Sequence, residues 1–547
     1  LARRERISER VPLAGRRAAG ENLQRRPALL SATVDLDAGQ IALTFSEPVD
    51  VQSVDASGVM LLSAPSVSGS GVQQVSLEPG TSTSQMGRVL TLTITKADKF
   101  RIFVARSLAT QASNTYVALS STAVTDMQGL QVNATDPALQ ASEFQPDTVR
   151  PVLANSSFSL DAAQLLLTFS EPVNANAAFN TSAITLAASP VSAAVPAPAT
   201  VRLTGAAGVS AVEPFFTTVV VNMTKHDWEA VKINTQLFTS IANAYLALDS
   251  TCVTDMQNNS LTAVPLTGAA QVGSFTGDLT PPELVGAALN MTSGVLQLTF
   301  DETVRATSLN TTHNIVLAAS SSAAAAAANA VTALVASNTQ PTAYALQSAV
   351  TQLVQPWGAQ DGLVLAVQVQ TEDMHELKRR TGLCVDASTC FVGAGAGGAL
   401  VADMSGNGVA VSSSGVGVGV FAEDTVAPEL VSFGLDMDAA QLVLRFDEPV
   451  LEAGAQPTSV VLRGGAGSGE ASLTLHHSTI VRQASDAMLS DSLAVRIDEA
   501  DLDRIKLARA IAVSTAFVAF NQSLIQDAAG NAVRAVSVPA QEADAFV

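Results

Sequence analysis

Aromatic residues make up only 4% of this 547-residue chain, so any core must be built from Val, Leu, Ile and a few phenylalanines. Charged residues are also scarce, at 14%, while 47% are hydrophobic, a balance that excludes a disordered chain. No stretch reaches the ~18 consecutive apolar residues of a membrane-spanning helix. The nearest, LARAIAVSTAFVAF at 507–520, is interrupted by Arg509, and no direct membrane insertion is expected. The five histidines are scattered, and there is no G-x-S-x-G elbow or H-E-x-x-H helix. GAGAGG at 393–398 lacks the lysine of a phosphate loop and reads as a flexible loop. His476 and His477 are adjacent, so on a strand they would point to opposite faces and could not share a metal. No catalytic residue, metal ligand or cofactor is assigned, and the chain is expected not to be an enzyme.

What the sequence does contain is one phrase written four times: IALTFSEPV (41–49), LLLTFSEPV (165–173), LQLTFDETV (296–304) and LVLRFDEPV (442–450). Its period-two alternation is that of a strand with one face on a core. Ile41, Leu43 and Phe45, Leu165, Leu167 and Phe169, Leu296, Leu298 and Phe300, and Leu442, Leu444 and Phe446 take the inward positions. Pro48, Pro172 and Pro449 lack the ladder donor, so pairing is expected to stop there; the third copy has Thr303 instead. The four phenylalanines are 124, 131 and 146 residues apart, a domain-sized period far longer than the ~20–50 residues of a solenoid repeat.

Each copy has further landmarks. The second to fourth open on Asp-x-x-x-Pro, at Asp147, Asp278 and Asp424, with RRPALL as the variant first opening. Each closes on a turn phrase, at Asp126, Asp255, Asp403 and Asp527. Between them TKADKFRIFVA, TKHDWEAVKIN, TEDMHELKRR and DEADLDRIKLA each begin on a capping Thr or Asp and carry apolar residues at helical spacing. The expected fold is therefore mainly β: four tandem Ig-like sandwiches, each with one short helix in a crossover, arranged as an extended array. The boundaries are an Arg-rich N-terminal connector at 1–26, then domains at 27–146, 147–277, 278–423 and 424–547, the third carrying Ala- and Gly-rich loop insertions. Copies one to three end on EFQPD, SFTGD and VFAED and the chain stops at AFV, which reads as a segment of a longer protein.

Net charge is −20, and the first 26 residues hold eight arginines and three glutamates. The rest is an acidic surface with no basic groove, which argues against nucleic-acid binding, and no nucleic-acid partner is expected.

The LTFSEPV strand, the Pro-led opening and the DMxGN-like ending resemble the bacterial-type Ig-like repeats of tandem S-layer-like and adhesin proteins. The helix-bearing version with NTYVALSSTAVTDM is similar to repeats in giant secreted surface proteins of algae and other protists. The resemblance covers Pro27 to Val547. It implies an extracellular or cell-surface structural component of a glycosylated filament, wall layer or flagellar-hair-like appendage, self-associating or joined to other subunits. The rival reading is an adhesive or carbohydrate-binding stalk.

Asn133, Asn155, Asn180, Asn258, Asn290, Asn310 and Asn521 stand in N-x-S/T sequons and are candidate sites for N-linked glycans; Asn222, within an expected strand, is the weakest of the set. Cys384 and Cys390, in CVDASTC, are expected to form a disulfide, two buried thiols being the alternative. Cys252 occupies the place of Ala123 and reads as a small core residue rather than an intermolecular bridge. Glu47, Glu171, Glu302 and Glu448, with Asp147, Asp278 and Asp424, recur near the junctions, where calcium could bind. With only one or two acids visible per junction, the reading is that they accept backbone hydrogen bonds.

Overall fold

The computed structural model describes residues 25–66, 71–79, 82–84, 87–175, 179–330, 342–348, 353–354, 360–395, 400–410, 414–481, 489–508 and 516–546. Nearly all of the Arg-rich connector lies outside these residues. The chain divides into two compact units, 1–227 with 240–276, and 228–239 with 277–547.

The protein is mainly β, and in every repeat the phrase strand lies inside a sheet with a neighbour on each side. In the first unit, Gln40–Asp50 is flanked by Leu29–Asp35 and Gly87–Thr93, both antiparallel, and Glu143–Gln145 is added in parallel at the edge. Ala32 lies opposite Leu43 and Val34 opposite Ile41, so the apolar residues of both strands share one face. That face meets a second sheet, Gln74–Ser76, Val59–Leu62, Tyr116–Leu119 and Leu139–Gln140, through Leu61, Val117 and Leu119. The second repeat rebuilds the arrangement around Gln164–Phe169, with a further sheet on Ile184–Ala187 and Tyr245–Leu248.

In the second unit, Val295–Val304 and Gln441–Leu451 play the same part. The third repeat differs in one way. Its strand Val416–Ala422 pairs with both Phe391–Ala394 and Leu284–Asn290, fusing two layers into a seven-stranded sheet. All the inward positions named from the sequence are buried, the phenylalanines included.

The phrase strand stops at Phe169, ahead of Pro172, in the second copy as expected, but runs past Pro48 and Pro449 in the first and fourth. The ladder breaks after Thr44, Thr299 and Arg445 and resumes at Val49, Val304 and Val450. The break occurs in the third copy without a proline, so an irregularity of pairing, and not the missing donor alone, turns the glutamate of the phrase aside.

The crossover helices are α1 (Lys96–Val104), α2 (Lys225–Lys232), α4 (Thr371–Arg379) and α5 (Glu499–Leu507). Thr95, Thr224 and Asp498 cap them as expected, whereas α4 starts after Gln370, which makes no side-chain cap bond. One buried aspartate in each first turn ties the helix to the loop above it. Asp98 accepts from Glu78 N–H, Asp227 from Thr204 and Gly205, Asp373 from Gln347 and Ser348, and Asp501 from His476, His477 and Ser478. His476 and His477 are thus exposed residues of a bend rather than strand neighbours, held by their backbones.

The Ala-rich insertion is not a loop. Ser321–Asn329 forms helix α3, capped by Ser320 and packed through Ala324 on Val316, Ala318, Ala343 and Ala345. Part of GAGAGG is strand as well. A Cβ at Gly393 would lie 3.1 Å from the Ala324 carbonyl oxygen, so glycine there permits close approach of α3; residues 396–399 lie outside the described residues.

Candidate functional site

Three landmarks that are far apart in sequence converge in each of the last three repeats. The phrase glutamate leaves the ladder at the pairing break, the linker aspartate precedes the first strand, and the turn aspartate follows the bridge from Val173 to Asp255, Val304 to Asp403 or Val450 to Asp527. The results are Asp147, Glu171 and Asp255; Asp278, Glu302 and Asp403; and Asp424, Glu448 and Asp527, each set offering carboxylate oxygens within 4.8 Å of one another.

The turn aspartate is fixed by its own loop. Asp255 Oδ1 accepts from the N–H groups of Gln257 and Asn259, and Asp403 and Asp527 repeat the pattern with Asn407 and Asn531. The same asparagines donate from Nδ2 to the backbone oxygen of Asp147, Asp278 and Asp424, which pins the linker to the turn. The first repeat has Leu130 at this position and no linker aspartate, and its Glu47 stands only half-buried.

A lysine from a crossover helix enters each cluster. Lys232 Nζ lies 2.8 Å from Asp278 and also bonds Glu302. Lys378 Nζ lies 2.7 Å from Asp424 and bonds Glu448. Both ammonium groups therefore bridge linker and phrase carboxylates. At the first cluster Lys99 Nζ reaches only Asp147 Oδ1, at 3.1 Å. Among the described residues Glu171 carries no ion pair, and its Oε1 has no hydrogen-bond partner. The difference follows from the helices. Lys232 and Lys378 stand eight residues after Thr224 and Gln370, whereas in α1 that place holds Phe103 and the lysine comes one turn earlier. Lys99 lies over the Phe103 ring at 5.2 Å, and Lys232 over Trp228 at 3.6 Å.

Glu229 in α2 accepts from the N–H and hydroxyl of Thr303, the N–H bond being 2.8 Å. A proline at 303, as in the other copies, could not make that bond.

Burial sets the protonation of these groups. It pushes Glu171 up to about 8, with Asp147 and Asp255 adding repulsion. Glu302 and Glu448 rise to about 7 from the same cause, although their lysines pull the other way. Burial likewise raises Asp147, Asp255, Asp278 and Asp527. Burial lowers the Lys378 pKa, but its bonds to Asp424 and Glu448 outweigh that and leave it raised. The expectation that the phrase glutamates and linker aspartates accept backbone hydrogen bonds holds for Asp278 and Asp424, which accept from Thr280 and Val426 N–H, and misses the lysine bonds of Glu302 and Glu448 and the clusters. The signal that could have found them was the lysine at matching helix positions beside three recurring acids.

The other candidate residues are dispersed. Asn133, Asn155, Asn180, Asn258, Asn310 and Asn521 are exposed, as is Asn222, while Asn290 is half-buried on its strand. Asn180 and Asn521 accept hydrogen bonds from the serine hydroxyls of their own sequons. Cys384 and Cys390 are joined, with S–S 2.01 Å. Cys252 is a free thiol in the core, and burial pushes it up to about 12. No helix among the described residues is long and apolar enough to cross a membrane.

No protein-family model and no curated protein matches the chain. Among solved structures it is similar to the N-terminal part of the bacterial S-layer protein SbsC, at 12% identity over 30% of this chain and 36% of that one, with TM-score 0.14. A structure of SbsC domains 1–6 matches at 10% identity over 90% and 64%, with TM-score 0.15. The N-terminal four Ig domains of Dscam1 isoform 6.44 match at 8% identity over 96% and 100%, also with TM-score 0.15. The chain thus spans 36% and 64% of the two S-layer structures. At such scores the likeness carries no argument, and the sandwich architecture rests on the sheets and registers of the chain itself.

Proposed function

We propose that this protein is an extracellular structural component, a row of Ig-like sandwiches whose spacing is its function, within a glycosylated filament, wall layer or hair-like appendage. The observation that carries this reading is the recurrence of a lysine bound among buried linker, strand and turn carboxylates in successive repeats. Such a group costs desolvation energy that a hydrophobic contact would avoid. Its use is geometric: within the second unit, the bonds from Lys378 to the linker Asp424 and to Glu448 of the following strand hold the fourth repeat against the helix of the third. Short Asp-x-x-x-Pro linkers add to the restriction. The Cys384–Cys390 bond and the exposed sequons suit an oxidising, extracellular setting. Self-association or contact with other subunits would use faces that carry no glycan.

Negative-stain images of the native material test the reading. A regular polymer is expected. Isolated rods that bind specific sugars on a glycan array would favour an adhesive or carbohydrate-binding stalk instead.

A further inference from the structure

We propose that the Asp147, Glu171 and Asp255 cluster is a calcium site, and that the two later clusters are not. All three sets of carboxylates converge to the same degree, so convergence alone does not distinguish them. Glu302 and Glu448, like Glu171, leave Oε1 without a hydrogen-bond partner, but each bonds a lysine through Oε2; what distinguishes the first cluster is a glutamate with no cation among the described residues. Glu171 is only 5% exposed, yet its Oε1 has no hydrogen-bond partner and its carboxylate has no ion pair among the described residues. Asp147, 3% exposed, leaves Oδ2 without a hydrogen-bond partner on the same cluster. Buried carboxylate oxygens without partners are costly unless a cation takes them.

In the later clusters an ammonium already lies between linker and phrase acids, and a metal would have to displace Lys232, whose side chain is 1% exposed. Lys99 is placed differently. It touches the Asp147 side of the cluster alone, its side chain is 21% exposed, and its flexible stem can retain Asp147 while Glu171 and Asp255 face a second cation.

The donors are all carboxylate oxygens, with no His or Cys, which selects a hard cation over zinc or copper. Binding a metal requires the carboxyls deprotonated, and three carboxylates against one lysine then leave two negative charges, the charge of one divalent ion. Asp255 Oδ1 and Oδ2 already accept from Gln257 and Asn259, but a carboxylate oxygen has lone pairs to spare for a metal. Three side chains supply part of the ~6–8 oxygens that calcium takes, and water completes the shell. The pairing break after the phrase strand, which aims Glu171 inward, would thus serve a metal in the second repeat and an ammonium in the third and fourth.

Calorimetric titration of calcium chloride into the chelator-treated 547-residue chain tests this. One ion per chain is expected, with a dissociation constant on the order of 10⁻⁴–10⁻³ M, as in extracellular modules. Glu171→Gln should weaken binding at least about tenfold, the loss of one charged ligand being worth more than ~1.4 kcal/mol. Asp147→Asn should do the same, so the result does not rest on the folding of one variant. Glu47→Gln, at the equivalent position of the first repeat and outside any cluster, should bind as the parent does. The proposal is overturned by the absence of binding heat in the parent, by three ions per chain, or by undiminished binding in both Glu171→Gln and Asp147→Asn when their melting in chelator matches the parent.

Discussion

The clusters at Glu171 and at Glu302 are made from the same three acids in the same order, yet one leaves its glutamate unpaired and the other gives it a lysine. The difference arises one element away, in a helix where Lys and an aromatic residue exchange places along one face. Lys99 with Phe103 becomes Trp228 with Lys232. A shift of about one helical turn moves the ammonium ~6 Å along the axis. That is enough to withdraw it from the phrase glutamate while leaving it on the linker aspartate. A junction can therefore keep its carboxylates and change its cation, because the sandwich fixes the acids and the helix alone fixes the lysine.

The largest expected effect bears on whether the repeats can be compared as separate bodies at all. Phe169→Ala should cost about 3–5 kcal/mol in the second repeat. Hydrogen exchange should show the fourth repeat little changed; equal loss in all four would mean that the junctions transmit unfolding. Next, Lys232→Met removes the cation that, among the described residues, bonds both Glu302 and Asp278. Leaving buried carboxylates without it should cost about 3–5 kcal/mol, whereas Lys99→Met, removing one contact of a part-exposed side chain, should cost about 1 kcal/mol. Chemical denaturation of the two variants measures the gap, and equal losses would erase the distinction between the junctions.

The pH dependence follows from Glu302 and Glu448, both raised from 4.5 to about 7 in the folded chain. The folded state then binds more protons than the unfolded one between those values, so the contribution of these two groups to stability is fully present below about pH 4.5 and is lost as pH rises through about 7. In chelator, melting of the second unit should fall between pH 5 and pH 8, by an amount on the order of 1–3 kcal/mol per cluster. Stability that rises over that interval would show the lysines to dominate. The smallest effect is expected of Glu171→Gln without calcium. With no ion pair to lose, it should be neutral or slightly stabilising, within about 1 kcal/mol, and a clear loss in calorimetry would reveal a partner for Glu171.

The sandwiches were legible in the sequence because period-two burial writes itself into residue type: every inward position of the four phrases is in the core. The crossover helices were legible for a similar reason, their caps and apolar spacing being local. Two readings failed where tertiary contacts outweighed local chemistry. SSSAAAAAANA looked like a loop because alanine alone gives no amphipathic pattern, yet Ala324 finds an apolar seat and the segment is helical. Pro48 and Pro449 looked like strand ends, but the strand resumes after a break that Thr303 shares. The clusters themselves were out of reach of a local reading, since linker and turn lie more than 100 residues apart in each, the bond from Asn407 to Asp278 spanning 129. No local signal joins them. The repeated lysine was visible, at Lys232, Lys378 and Lys506, but its displacement to Lys99 hid the rule.

Small-angle scattering on the whole chain tests most directly the claim that these junctions hold the repeats in a row. The account predicts an elongated particle, with a radius of gyration well above the ~24 Å of a compact globule of this length, and a broader distribution of dimensions in Lys232→Met. A radius near the globular value in the parent chain would contradict it.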